Sequence, residues 1–271
     1  MVLFRKQENL DLNDLNYDTP QSSSVISKLF LKRLNPIEKN KRYSITFDID
    51  WAPDCAIQMC LEMLSSAGVK ATFFTTHQTD LNKEIVRNGH LLGIHPNFLA
   101  NSSHGSSVKQ VIEYCLKLAP NSWCMRSHGL VQSSPMFKEI FSSFKQLKLD
   151  ASLFIHKEPM AKKITWALDE VKFDRIIYNW ADDAEFVYQN YSGADQKFFG
   201  ELTVFGFHPI HIFLNSSNGS EYASIKESII EKPLSSLKKS DIEKFQNKEV
   251  GVRSFFESIL YSNEKNILLD K

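Results

Sequence analysis

The chain has 271 residues, 42% hydrophobic and 24% charged, enough to bury a sizeable core in one large α/β domain or two small ones. Its 32 basic and 32 acidic residues cancel, so no global field favours nucleic acid or an anionic membrane surface. No apolar run approaches the roughly 18 residues of a spanning helix, and the opening MVLFRKQENLDLNDLNYDTPQSSS holds no apolar stretch of secretory-signal length, so a cytoplasmic protein without membrane insertion is expected.

Residues 1–42 are polar and irregular apart from one short amphipathic candidate, VISKLFLKRL, and are expected to form an N-terminal extension. From residue 44 strands and helices alternate. A strand over 44–49 leads to a helix opened by Pro53 and closed at Gly68, then to the apolar strand VKATFFTT. The helical LNKEIVRNG leads to the strand HLLGIH, SVKQVIEYCLKLAP leads to SWCMRSH, and SPMFKEIFSSFKQLK leads to LDASLFIH. Five strands separated by helices imply a parallel sheet or barrel with right-handed crossovers. The segments FDRIIYNWADD and LTVFGFHPIHIFLN extend the series to seven candidate strands. Beyond them the loop NSSNGSEY, two polar helical segments and the amphipathic helix VRSFFESILYS should either narrow the barrel mouth or complete its wall. Cys55, Cys60, Cys115 and Cys124 form no CxxC pair and read as buried free thiols.

The unusual polar residues gather at the predicted strand ends. Asp48 and Asp50 follow the first strand in SITFDIDWAPD, and side chains two apart on a strand point the same way, so both carboxylates converge on one rim. His95 follows the third strand, Arg126 and His128 the fourth, Asp182 and Asp183 the sixth, and His208 and His211 lie at the seventh. In β/α folds that rim carries the active-site loops. His95 and His104, in GHLLGIHPNFLANSSHG, can join a strand-end aspartate in a His2Asp set that leaves a coordination position open for water. His90 reads as structural, and His77 and His156 as loop residues.

The order SITFDID, VKATFFTT, NGHLLGIHPNF, MRSHG and FHPIHIFLN resembles the polysaccharide deacetylase superfamily, the NodB-homology domain of carbohydrate esterase family four, over roughly 43–215. The resemblance implies a distorted (β/α)7 barrel over 43–215, an N-terminal extension over 1–42 and a helical extension over 216–271 packed on the barrel. It also implies a metal-dependent hydrolase that removes N-acetyl or related acyl groups from amino sugars, with a divalent metal, Zn2+ by the donor types, and a carbohydrate as the partner. Asp48 would be the general base, Asp50, His95 and His104 the metal ligands, and Arg126 the holder of the base. His208 would be the general acid, with His211 as its rival, oriented by Asp182 or Asp183. His128, Trp51, Trp180 and His211 are candidates for the substrate pocket.

The chain departs from the family pattern in three places. Ile49 separates carboxylates that are adjacent in the family's TFDDG, which leaves their division of roles open. His95 and His104 are nine apart where the family has HxxxH, and RSHG replaces Arg-Pro-Pro-Tyr-Gly, so the tyrosine whose backbone N–H helps form an oxyanion hole is missing. Two rivals use the same residues. A haloacid-dehalogenase-type phosphatase would use the DxD as nucleophile and acid but leave the histidines idle, and a non-catalytic sugar- or metal-binding module would keep the barrel without hydrolysis.

Overall fold

The computed structural model describes residues 41–159, 162–187, 191, 200–228 and 232–269; the amphipathic candidate VISKLFLKRL lies outside them. In chain order the elements are β1 (Arg42–Asp48), α1 (Asp54–Ala67), β2 (Ala71–Thr75), α2 (Leu81–Arg87), β3 (Leu91–Ile94), α3 (Val108–Leu118), β4 (Cys124–Met125), α4 (Ser134–Ser143) and β5 (Leu149–Phe154). They continue with β6 (Lys163–Leu168), β7 (Val171–Tyr178), β8 (Trp180–Ala181), α5 (Asp182–Glu185), β9 (Leu202–Phe207), α6 (Pro209–Leu214), α7 (Gly219–Ser228), α8 (Lys239–Ile242), α9 (Val252–Leu260) and β10 (Lys265–Asn266).

The sheet runs β6-β7-β5-β4-β3-β2-β1-β9-β8, and every ladder except the β6–β7 hairpin is parallel. β7 passes through Asn179 into β8, so one chain segment pairs with β5 along its first part and with β9 along its last. Asn179 makes the join: its N–H donates to the Val204 carbonyl at 3.1 Å, and its Oδ1 accepts from the Val204 N–H at 2.8 Å. The path therefore returns on itself as a distorted barrel.

Alternation along the strands separates two cores. Phe74, Cys124, Leu149, Ala151, Ile176, Tyr178 and Val204 pack together on one face, within the ring. Phe47, Phe73, Phe205 and Phe207 point the other way, under α1, α6 and α9. On β1 the inward positions are the small or polar Ser44, Thr46 and Asp48, all buried, and Thr46 Oγ1 donates to the Phe205 carbonyl at 2.6 Å. On β3, Gly93 is required beside Phe74: a Cβ there would lie 2.6 Å from Phe74 and 3.0 Å from Cys124. Helix α1 runs from Pro53, at its N-cap, to Gly68, whose φ of 66° ends it with an N–H bonded to the Ser65 carbonyl.

Two elements differ from the sequence expectation. Residues 163–168 form β6, an antiparallel partner of β7 outside the ring, with exposed and half-buried positions alternating. The segment read as one long final strand is β9 followed by α6: Pro209 occupies the first helical turn, where its missing N–H costs nothing. After Asn215, α9 stacks Phe255 on Trp180 (centroids 4.6 Å apart, 17° between planes) and sets Phe256 against Phe47 and Phe207 at 5.7 and 5.0 Å. This helix forms part of the wall, β10 pairs with the start of β1, and α7 brings Tyr222 to 4.7 Å from the His211 ring. All four cysteines are free thiols, three of them buried.

Candidate active site

Ile49 carries the β1 ladder one residue further, its N–H bonding the Phe74 carbonyl at 3.1 Å. The chain then turns sharply, with Asp50 and Trp51 both in the left-handed region at φ 46° and 55°, a conformation that disfavours non-glycine residues. Tertiary bonds hold it: the Trp51 N–H donates to Thr76 Oγ1 at 2.9 Å and the Ala52 N–H to the Ile49 carbonyl at 2.8 Å. The turn delivers the Asp50 carboxylate into a cluster of imidazoles.

Asp50 Oδ1 lies 3.0 Å from His95 Nε2 and 2.9 Å from His128 Nδ1, while its Oδ2 lies 3.6 Å from His208 Nε2. Burial favours the neutral acid, but hydrogen bonds to His128 and His95 and the charges of His95 and His208 hold Asp50 well below the usual carboxylate range. The Asp50 hydrogen bond raises His128 against its burial. His95 Nδ1, buried and without a hydrogen-bond partner among the described residues, sits 3.9 Å from Asp48 Oδ1.

Asp48 is held separately. Arg126 Nη1 reaches Asp48 Oδ1 at 3.0 Å, and the arginine, fully buried, donates from Nε to the Ala151 carbonyl at 2.9 Å. Its guanidinium is further fixed over the rings of Tyr178 and Phe74, at 4.0 and 4.7 Å. A carboxylate so clamped has one geometry in which to accept a proton.

Across the mouth, His208 Nδ1 is 2.7 Å from Asp182 Oδ1, and the His208 backbone N–H donates to Asp182 Oδ2 at 2.7 Å. Burial opposes a charge on His208, yet the charge and hydrogen bond of the fully buried Asp182 carry it well above the ordinary imidazole range. Asp183, the other aspartate considered, is exposed, accepts the Ala184 N–H at 2.8 Å, and lines the cavity instead.

Three expected site residues take other positions. His104 is outside the Asp50 cluster: its Nδ1 accepts the Asn97 N–H at 3.1 Å and its Nε2 meets the Thr76 carbonyl at 2.9 Å, so both ring nitrogens serve the backbone. Burial lowers its pKa, and its ring stacks on Tyr114 at 4.8 Å. Trp180 belongs to the wall, 3% exposed beneath Phe255, and not to the pocket. His211 is also buried, 3.3 Å from Ser216 Oγ and 5.3 Å ring to ring behind His208; burial and the His208 charge hold it well below the imidazole range. Trp51, half-buried, stays at the rim with its ring 5.3 Å from that of His128. His90 is structural, its Nδ1 accepting the Ala71 N–H at 3.1 Å.

A cavity of about 200 Å³ joins these groups, lined by Asp48, Asp50, His95, His128 and His208 on its polar side and by Leu130, Phe154, Tyr178 and Ala184 on the other. Asp50, His95 and His128 each offer a ligand atom, all within 4.8 Å of one another. One carboxylate and two imidazoles, with a buried imidazole nitrogen left unpartnered, fit a divalent transition metal. A second group, Asp182, Asp183 and His208, is as close, but Asp182 already accepts two hydrogen bonds from His208. Sequence spacing placed His128 only in the pocket; its position at the end of β4, on the rim that carries Asp50 and His95, is the signal that ties it to them.

A family model described as WbmS-like polysaccharide deacetylase matches residues 45–226. The crystal structure of a Bordetella bronchiseptica protein, described as a polysaccharide deacetylase involved in O-antigen biosynthesis, is similar at 30% identity and a TM-score of 0.69, over 82% of this chain and 90% of that one. The Xyl-CE4 domain of a multidomain xylanase from the hindgut metagenome of Trinervitermes trinervoides is similar at 12% identity over 85% of this chain and 88% of its own, with a TM-score of 0.43. The catalytic domain of peptidoglycan N-acetylglucosamine deacetylase from Eubacterium rectale is similar at 19% identity over 63% of this chain and 77% of its own, with a TM-score of 0.40. No curated protein matches the chain.

Proposed function

Because the chain belongs to the WbmS-like polysaccharide deacetylase family, we propose that it hydrolyses an N-acyl group, acetyl or formyl, from an amino sugar in a precursor of a surface polysaccharide. The observation that carries the reading is the convergence of Asp50, His95 and His128 beside an Arg126-held Asp48 and an Asp182-held His208. The relative described as involved in O-antigen biosynthesis supports a polysaccharide precursor as the substrate class. No helix among the described residues is long and apolar enough to cross a membrane.

Asp50, His95 and His128 would hold a divalent ion, Zn2+ by the donor set. When bound, such an ion would supply Lewis-acid chemistry, polarising the acyl oxygen and lowering the pKa of a water to about 7. Asp48 accepts the proton of the attacking water, its carboxylate kept in place by Arg126. His208 enters the reaction charged because Asp182 stabilises the imidazolium, and it donates its proton to the departing amine nitrogen. An amide nitrogen leaves poorly as an anion, which is why the site needs this acid in addition to an electrophile. Leu130, Phe154 and Tyr178 give the acyl group an apolar wall and restrict bulk water.

The phosphatase reading of the Asp48–Asp50 pair falls with the family assignment. The experiment is incubation of zinc-loaded protein with N-acetylated and N-formylated amino-sugar substrates. Equal release of carboxylate and primary amine, abolished by a chelator, is expected. Sugar or metal binding without release would favour a non-catalytic module instead.

A further inference from the structure

Asp150 and Arg175 form an ion pair away from the cavity that the chemistry above does not use. Arg175 Nε donates to Asp150 Oδ2 at 2.7 Å, and the two residues are 2% and 0% exposed. The guanidinium lies 4.4 Å from the Trp166 ring and 4.9 Å from that of Phe137. A buried pair of this kind is often no better for stability than apolar residues of the same volume, so its other hydrogen bonds are informative.

Those bonds lead to the loop that bears His128. Asp150 Oδ1 accepts from the Ser152 hydroxyl at 2.6 Å and from the Ser152 N–H at 3.2 Å, and Ser152 Oγ in turn accepts the Ser127 N–H at 2.8 Å. From the other partner, Arg175 Nη2 donates to Gln132 Oε1 at 2.5 Å, and Gln132 Nε2 donates to the carbonyls of Leu130 and Ser152, both at 3.3 Å. Ser127 and Leu130, the residues gripped, flank His128 on either side. The loop needs the grip, because Gly129 and Leu130 are both left-handed at φ 60° and 55°, and a leucine does not hold that conformation by local preference.

We infer that the Asp150–Arg175 pair, acting through Ser152 and Gln132, is a positioning clamp that presents His128 to Asp50 and thereby sets the affinity of the ion site. The inference rests on the metal reading above. Groups that orient a ligand from behind typically change metal affinity by about 10–100-fold when removed.

The test uses the full chain with Ser152→Ala, Gln132→Ala and both together. Thr165→Ala serves as the control; it deletes a hydrogen bond to Asp174 at the same sheet edge without touching the loop. Hydrogen exchange at the Ser127 and Leu130 amides is measured without metal, and the zinc dissociation constant is measured by chelator competition. The clamp predicts faster exchange in each clamp variant, an affinity about 10–100-fold weaker in the double variant, and no change in the control. Wild-type exchange or wild-type affinity in the folded double variant would overturn it. Failure of the unmodified protein to bind zinc would instead sink the metal reading, and unchanged loop exchange in the same samples would sink the clamp independently.

Discussion

Replacing His104 by alanine separates a histidine that holds the backbone from one that holds an ion. Its imidazole joins the Asn97 N–H and the Thr76 carbonyl at 3.1 and 2.9 Å and stacks on Tyr114 with 22° between planes. Thr76 is fully buried, and its hydroxyl accepts the Trp51 N–H that steadies the Asp50 turn. Truncation strands two backbone groups, at about 1–3 kcal/mol each, and removes a ring contact worth about 0.5–1.5 kcal/mol. The combined loss of about 2.5–7.5 kcal/mol corresponds, at roughly 2–4 °C per kcal/mol in a domain of this size, to a fall in Tm of roughly 5–30 °C. Calorimetry of the metal-free protein reads that shift, and elemental analysis well below the midpoint should still find stoichiometric zinc. His128→Ala should reverse the pattern, with a smaller thermal shift and no zinc. An unshifted midpoint together with lost zinc in His104→Ala would refute the reasoning and return His104 to the ion.

Asp48→Asn should keep its metal but lose turnover by about 10²–10⁴-fold, the size of a general-base contribution, since an amide cannot accept the water proton; near-normal rates would contradict the role. Asp182→Asn should move the alkaline limb of the pH–rate profile to lower pH: Asp182 raises the His208 pKa, so without that charge the acid loses its proton sooner as pH rises, while a limb that stays in place would show that another group sets it. Phe256→Ala, which empties a buried position between Phe47 and Phe207, should cost about 3–5 kcal/mol in denaturant unfolding without altering zinc stoichiometry; an unchanged unfolding midpoint would remove α9 from the wall.

Much of this molecule was legible because period-2 alternation and helix punctuation are local signals. Pro53 and Gly68 bracket α1, and each of the seven expected strands is present in whole or in part. The rim positions of Asp48, His95, Arg126 and His208 follow from where the strands end, since a residue at or just past a strand end in a β/α fold has few other places to go, whereas Asp50 reaches the same rim through the left-handed turn after β1. The parts that were hidden depend on contacts distant in sequence. His104 lies nine residues from His95 on a loop whose path is decided by Thr76, Tyr114 and Cys115, and no spacing rule reports that both its nitrogens are taken. His128 reaches Asp50 across 78 positions, by way of a loop held by Ser152 and Gln132. Trp180 sits on the wall side of β8, and a two-residue strand is too short for its own pattern to reveal which face it shows. The β6 strand, KITWAL, alternates exposed and half-buried positions with none fully buried, and so lacks the apolar signature of the ring strands. The helix α6 was legible in principle, because Pro209 directly after β9 is a better first helical residue than a continuing strand residue.

The most direct measurement of the central claim is anomalous diffraction at the zinc absorption edge from crystals of the zinc-loaded protein. The account predicts a single strong peak within bonding distance of Asp50, His95 and His128, about 2.0–2.2 Å from each ligand atom, with Asp48 close by but uncoordinated. A peak that included His104 in place of His128, or no peak between Asp50 and His95, would contradict it.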